Sequence, residues 1–312
     1  MKVHFLIPVY NDKKSLIKLI KSICEKYNKY FISFLIINDG SNEVFEDLKD
    51  QFKPNIFEII NLKSNQGNQK SISIGIKYLQ EEKKEFDYLI IMDADGEDDP
   101  RYIENLILKA KENDDQKVIF ASRLKRNEGI VFNFFYFFYK LIFYILTGSK
   151  INFGNFSCIP NQIFSNIANI PTISLHYSAS ILNSKLSYET YPSNKGIRYD
   201  SISRMNISNF IMHAMKSFSI YYEKILIRIL SFTLGGFLIS IFFIILVVIN
   251  KYFAKFVLIG WSSDMVLGLF IISIIFLFMF FSSLLLLLNR SNYKEYLEKD
   301  IDYKFYVKNI IS

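Results

Sequence analysis

Two carboxylates one residue apart, Asp93 and Asp95, close the apolar run Tyr88 to Met92, and Glu97, Asp98 and Asp99 follow before Pro100. A short apolar run that ends in acids reads as a buried parallel strand whose C-terminal end opens into a site. Ligands of open α/β sheets sit at that end. Two such close carboxylates repel each other unless a cation holds them. Hard cations such as Mg2+ or Mn2+ take oxygen ligands and keep positions open for phosphate oxygens. The chemistry expected at Asp93 and Asp95 is therefore the binding of a metal and a diphosphate. An acidic turn after a strand has the same appearance, so the rest of the chain has to decide between the two.

The elements that would position these acids can be read in order. Residues 2 to 9 read as a first strand, and Tyr10-Asn11-Asp12 leads into a helix over Lys13 to Lys26 with apolar residues on one face. Phe31 to Ile37 is a second buried strand, closed by Asn38-Asp39-Gly40-Ser41. Asp39 there suits a nucleoside's ribose or base, or it belongs to an ordinary Asn-Asp-Gly turn. Ile56 to Leu62 is a third strand. The polar loop Ser64 to Lys70 then feeds a helix from about Gln69 to Leu79, and Gly67 and Gln69 would lie where free N–H groups can hold an anion. Lys70 would add a positive charge beside a diphosphate. After the acids come a helix over about Tyr102 to Asn113 and a strand over Val118 to Ala121 that runs into Ser122-Arg123. Alternating strand and helix over about 120 residues predicts an α/β domain with a mostly parallel sheet flanked by helices. Neither a P-loop nor a G-x-G-x-x-G string occurs.

Four strings in this order, Pro8-Val9-Tyr10-Asn11-Asp12, Asn38-Asp39-Gly40-Ser41, Asn65-Gln66-Gly67-Asn68-Gln69 and Asp93-Ala94-Asp95, resemble the family 2 glycosyltransferases. Those enzymes have the GT-A fold. The segment Gly96-Glu97-Asp98-Asp99-Pro100 is similar to one in the membrane-bound branch that contains dolichol-phosphate mannosyltransferase and bacterial polyprenyl-phosphate glycosyltransferases. The resemblance implies that Asp39 and the turn with Pro8, Tyr10 and Asp12 hold the nucleoside of a UDP- or GDP-sugar. It also implies that Asp93 and Asp95 face the ribose–diphosphate and a Mg2+ or Mn2+, with Asp95 as the direct ligand. Asp12 stands where the family usually has Glu, and Asn68 where this branch often has His. Gly196 to Asn206 resembles a further segment of the branch. Its Arg198 and Arg204 suit bidentate phosphate contacts, either to the diphosphate or to a lipid phosphate. Asn155 lies near the place where relatives carry an acid that deprotonates the acceptor. It cannot act as a base, which fits an acceptor that is already ionised, such as polyprenyl phosphate.

The remainder of the chain is membrane-like. With 312 residues, 51% hydrophobic, it is too apolar for an ordinary soluble domain and too polar for a pure membrane bundle. The domains expected are a cytosolic catalytic domain over residues 1–224, two transmembrane helices within residues 225–290 (about 229–249 and 265–288), and a basic cytosolic tail over residues 291–312. Val131 to Thr147 is dense in aromatics with Lys140 near its middle, and is expected to lie at the membrane interface rather than against the sheet. Gly235-Gly236 in the first span suits close helix packing or a homo-oligomer contact. The net charge of +7 matches a cytosolic-face membrane protein. With no arginine-rich run and no zinc spacing, nucleic acid is excluded as a partner. Cys24 and Cys158 provide no disulfide framework. The first apolar run is strand-length, so a signal peptide is not expected. The location expected is the inner (plasma) membrane, multi-pass, with both termini in the cytosol. Other acceptors are a lipid-linked oligosaccharide or a glycolipid, and an inactive scaffold is the alternative outside enzymes. A processive synthase would carry Q-x-x-R-W, whereas the single tryptophan is Trp261 in Gly-Trp-Ser-Ser.

Overall fold

The computed structural model describes residues 1–52, 56–123, 130–150, 153–200, 207–253, 260–289 and 302–311. Its elements are β1 (Lys2–Val9), α1 (Lys13–Lys26), β2 (Phe31–Asn38), α2 (Leu48–Gln51), β3 (Ile56–Leu62), α3 (Asn68–Glu81), β4 (Tyr88–Ile91) and α4 (Ile103–Lys111). They continue with β5 (Val118–Arg123), α5 (Ile130–Thr147), β6 (Phe153–Pro160), α6 (Asn161–Ala168), α7 (Tyr177–Asn183), β7 (Tyr188–Ser193), α8 (Ile207–Ile220), α9 (Tyr222–Phe253), α10 (Trp261–Leu288) and β8 (Val307–Ile311).

The chain divides into two units. One contains Met1–Phe143, Ser149–Ile220 and Leu297–Ser312; the other contains Tyr144–Gly148 and Tyr221–Tyr296. The first is built on a single sheet with the order β7-β5-β6-β4-β1-β2-β3-β8. Strands β4, β1, β2 and β3 run parallel, β6 is antiparallel to both β4 and β5, and β8 is antiparallel to β3. The central strands are apolar on both faces because helices cover both, as a parallel sheet requires. Successive residues of β1 therefore go to different cores. Val3, Phe5, Ile7 and Val9 pack with α1 and α4, while Leu6 joins Leu35, Ile37 and the buried face of α3.

Two features add detail to the expected layout. Residues 302–311, within the stretch expected as a basic tail, form a short 3-10 turn at Tyr303–Phe305 and then β8, which adds to the sheet edge beside β3. The sheet is also mixed in its second half, since β6 inserts between β4 and β5 against their direction.

Within the first unit, α5 packs on α8 through Tyr139, whose hydroxyl hydrogen-bonds Ser217 at 2.9 Å, and through Phe143 against Phe218. Phe137, Phe138, Leu141 and Ile142 remain exposed on α5. The second unit is a pair of long apolar helices. α9, with 32 residues, and α10, with 28, are each long enough to cross a bilayer. They run antiparallel, since Tyr222 donates to the Leu286 carbonyl at 2.8 Å while Gly236 faces the Phe276 ring. Large apolar side chains cover the exposed surface, whereas Thr233, Ser240 and Ser273 are buried. Their hydroxyls donate to carbonyls three residues earlier, so no polar group is left unsatisfied by them in an apolar setting.

Candidate active site

The parallel register aligns the C-terminal ends of four strands. Val9 lies beside Asn38 and Asn38 beside Asn61, while Leu6 pairs with Ile91 one strand over. The loops that follow are tied together by side chains. Asn38 donates its amide to Asn61 at 2.7 Å and accepts the Ser41 N–H at 3.0 Å. Asn11, at φ +49°, donates its N–H to the Ser41 hydroxyl and accepts that of Asn42, both at 2.9 Å. This cross-link shapes the turn that holds Pro8, Tyr10 and Asp12. Tyr10 is exposed there, and Asp12 precedes α1 without capping it through its side chain.

Asp39 is buried at the end of β2. One carboxylate oxygen accepts the Gln66 N–H at 2.7 Å and the other the Gly67 N–H at 2.9 Å. Burial pushes its carboxyl upward, and the two amides and Ser71 work against that. Asp39 thus grips the loop that starts α3, and Gly67 at φ +85° makes the turn. Asn68, the first residue of α3, donates its amide to Asp93 at 2.9 Å. The next residues face other ways. Gln69 is buried, donating to Asn155 at 3.1 Å and accepting the Tyr177 N–H at 2.6 Å. Lys70 donates to the Tyr306 hydroxyl at 2.9 Å.

The acids occupy the turn after β4. Asp95 accepts the Glu97 N–H at 2.9 Å, and Asp98 accepts the Asp93 N–H at 3.0 Å. The chain after β7 lies along this turn, with the Gly196 N–H on the Glu97 carbonyl at 2.8 Å and the Tyr199 N–H on the Asp95 carbonyl at 3.0 Å. Gly96, at φ +88°, leaves room for the Tyr199 ring; an added Cβ would stand 2.6 Å from it.

This docking brings in the cations. Arg198 reaches Asp95 at 2.8 Å and Glu97 at 2.9 Å. Lys195 reaches Glu97 at 2.9 Å, and Arg123 at the end of β5 reaches Glu97 at 3.3 Å and Asp98 at 3.6 Å. Four carboxylates, Asp93, Asp95, Glu97 and Asp98, thus share three cations. Burial favours the neutral form of Glu97, but Lys195, Arg123 and Arg198 outweigh it and hold its carboxyl below the usual range. Asp95 is pushed up to about 6, by burial first and the Asp93 charge second, with Arg198 opposing. Burial and Asp93 raise Asp98 as well. The cluster is short of positive charge, which is the condition in which a carboxylate pair favours a cation. Among the described residues, no group of three or more His, Cys, Asp or Glu is arranged to hold a metal. Asp93 and Asp95 are the two carboxylates here that could offer oxygen ligands to a hard cation.

Residues 5–167, just over half of the chain, match the family model described as glycosyl transferase family 2. The chain belongs to that family. This glycosyl transferase family 2 protein is 31% identical over 136 residues to undecaprenyl-phosphate 4-deoxy-4-formamido-L-arabinose transferase of Salmonella choleraesuis. That match covers 41% of this chain and 39% of the relative, and the same enzyme from Salmonella newport matches equally. The likeness thus spans about two fifths of these relatives' length. Among solved structures, glucosyl-3-phosphoglycerate synthase from Mycobacterium tuberculosis, crystallised with Mn2+, UDP-glucose and phosphoglyceric acid, gives a TM-score of 0.52 at 7% identity. It covers 72% of this chain and 79% of that one, a likeness of fold alone. The fold is GT-A: a mostly parallel sheet flanked by helices, followed here by the paired apolar helices α9 and α10.

Of the residues expected at the site, Asp93, Asp95 and Arg198 come together, and Asp39 and Gly67 meet beside them through the α3 loop. Gln69 turns inward and Lys70 turns to the C-terminal segment. Arg204 lies outside the described residues. Glu97, Asp98, Arg123 and Lys195 were not singled out from sequence. The acids at 97 and 98 were visible, but Arg123 and Lys195 lie 26 and 98 positions from Glu97, and only the fold brings them together.

Proposed function

We propose that the chain is a membrane-bound glycosyltransferase that moves a sugar from a UDP- or GDP-sugar to a lipid phosphate, with polyprenyl phosphate as acceptor. The observation that carries this reading is the Asp93–Asp95 pair at the end of β4, flanked by the first residue of α3 and by Arg198. In this reading Asp95 and Asp93 hold Mg2+ or Mn2+. The cation, when bound, offsets charge developing on the departing diphosphate. Arg198, together with Arg204, supplies positive charge to the diphosphate or the acceptor phosphate. Pro8, Tyr10, Asp12 and Asp39 form the nucleoside end. Gly67, Gln69 and Lys70 belong to the loop and first helical turn that shape the donor side. The Mn2+ and UDP-glucose named for the Mycobacterium tuberculosis structure support the donor and metal assignments, and the name of the Salmonella relatives supports the acceptor class.

Asn155 offers no carboxylate, and its side-chain oxygen accepts from Gln69. An alcohol acceptor would need a base to take its proton, whereas a phosphate monoester is already ionised. The membrane reading rests on α9 and α10, on the exposed aromatics of α5 at the interface, and on connectivity. Strand β8 follows both apolar helices yet belongs to the same sheet as β1, so crossing by both helices is a round trip. With positive charge favouring the cytosolic side, the catalytic domain and both termini face the cytosol at the inner (plasma) membrane.

The test is transfer of label from radiolabelled UDP- and GDP-sugars to undecaprenyl phosphate in membranes that contain the protein. Label in the organic phase supports the reading; label that appears only with an added glycolipid or alcohol acceptor sinks the phosphate assignment.

A further inference from the structure

The C-terminal segment does more than cover a sheet edge. Tyr303 is buried edge-on against Tyr78 of α3, with ring centroids 5.8 Å apart, and Asp302 caps the turn by accepting the Lys304 N–H at 3.0 Å. β8 then pairs with β3 up to Leu62, the last residue before the donor loop. At that point one residue, Tyr306, contacts both ends of the loop. Its carbonyl accepts the Lys63 N–H at 2.9 Å. Its hydroxyl accepts from Lys70 at 2.9 Å, and the Lys70 ammonium stands 4.1 Å from the centre of its ring. Lys63 adds a bond to the Phe305 carbonyl at 2.6 Å. Between these ends lie Gln66 and Gly67, whose N–H groups are held by Asp39.

We propose that Tyr306 is a positioning residue for the donor side of the site: the segment Asp302–Ile311 holds the loop Lys63–Gly67 in the form that Asp39 grips. The inference rests on the nucleotide-sugar reading above. A short loop keeps two amides aimed at one carboxylate only if its ends are fixed. Lys63 and Lys70 are both long, entropically costly side chains that point stably only when bonded. Phe305 holds the Lys63 side chain, while Tyr306 holds the Lys63 main chain through its carbonyl and the Lys70 side chain through its hydroxyl. Because its main-chain bond survives substitution, side-chain changes test the Lys70 end alone.

The experiment uses the full chain in detergent with Mn2+, comparing wild type with Tyr306→Phe, Tyr306→Ala and the β8 control Lys308→Ala. Binding of UDP and GDP is measured directly, and hydrogen exchange is followed in the peptide spanning residues 63–70. Loss of a hydrogen bond to a charged partner predicts that Tyr306→Phe weakens binding of the preferred nucleotide about fivefold to tenfold. Tyr306→Ala weakens it further, turnover at saturating donor falls much less than the donor KM rises, and exchange at Gln66 and Gly67 quickens while β1 and β2 peptides do not change. If wild type binds nucleotide and both Tyr306 variants bind and exchange as it does, the brace is wrong. If wild type binds neither UDP nor GDP, the donor reading fails and the brace fails with it.

Discussion

Arg198 stands 2.8 Å from Asp95, yet the Asp95 carboxyl still lies at about 6, because burial and the charge of Asp93 outweigh the guanidinium. In the proposed reading Asp95 must be ionised to bind metal, and Arg198 favours the ionised form. Removing that charge in Arg198→Gln lifts the Asp95 pKa further. The acid limb of the pH–rate profile should therefore move to higher pH, in addition to any loss of rate at the plateau. An unshifted limb with reduced rate would mean that Arg198 acts on substrate alone.

The same carboxylate should cost stability. Its folded pKa, about 6, is above its ordinary 3.8, so the protein loses stability as pH rises through that window and has lost it fully above pH 6 or so. Asp95→Asn removes the charge. Without metal at pH 7.5 the variant should be about 3 kcal/mol more stable than wild type, and near pH 3.5 the two should converge. Thermal unfolding at the two pH values measures this. Divalent metal should then stabilise wild type and leave the variant unmoved.

Asp39 accepts two N–H groups, one on each oxygen, and an amide can accept at only one. Asp39→Asn sets an NH2 group against a backbone N–H inside a buried turn. The expected cost is about 2 kcal/mol, with donor affinity falling at least tenfold. Equal donor affinity in the variant would show that the α3 loop does not depend on this grip.

Gly96 and Gly154 form a matched pair. At Gly96 the backbone is left-handed and a Cβ would strike the Tyr199 ring, whereas Gly154 has open space. Gly96→Ala should destabilise by about 1–3 kcal/mol and reduce activity by displacing the Arg198 segment; Gly154→Ala should do neither. Urea unfolding of the two variants makes the comparison.

The parts of the fold legible in sequence were those set by local pattern. β1, β2 and β4 announce themselves because burial on both faces demands continuous apolar runs, and α1 because its apolar residues recur at helical spacing. β7 did not, since an edge strand tolerates polar residues and even Pro192. Nor did β8, five residues with Lys308 and Asn309 exposed, whose partner β3 lies some 250 positions earlier. The acids of the site were legible by type, as was Arg198. Their charge balance was not, because Arg123 and Lys195 meet Glu97 only after β5 and β7 have been placed side by side. Lys70 shows what sequence position leaves out: that position suits a diphosphate, and in the fold its ammonium also bonds the Tyr306 hydroxyl.

The most direct measurement is sugar transfer by the purified protein in lipid, with undecaprenyl phosphate and a panel of UDP- and GDP-sugars, in Mn2+, in Mg2+ and in chelator, beside Asp95→Ala. The account predicts that one donor labels the lipid, that chelator abolishes the label, and that Asp95→Ala yields none. Transfer that persists in chelator or in Asp95→Ala would contradict it, as would a wild-type chain that binds nucleotide but turns over no donor with a phosphate acceptor.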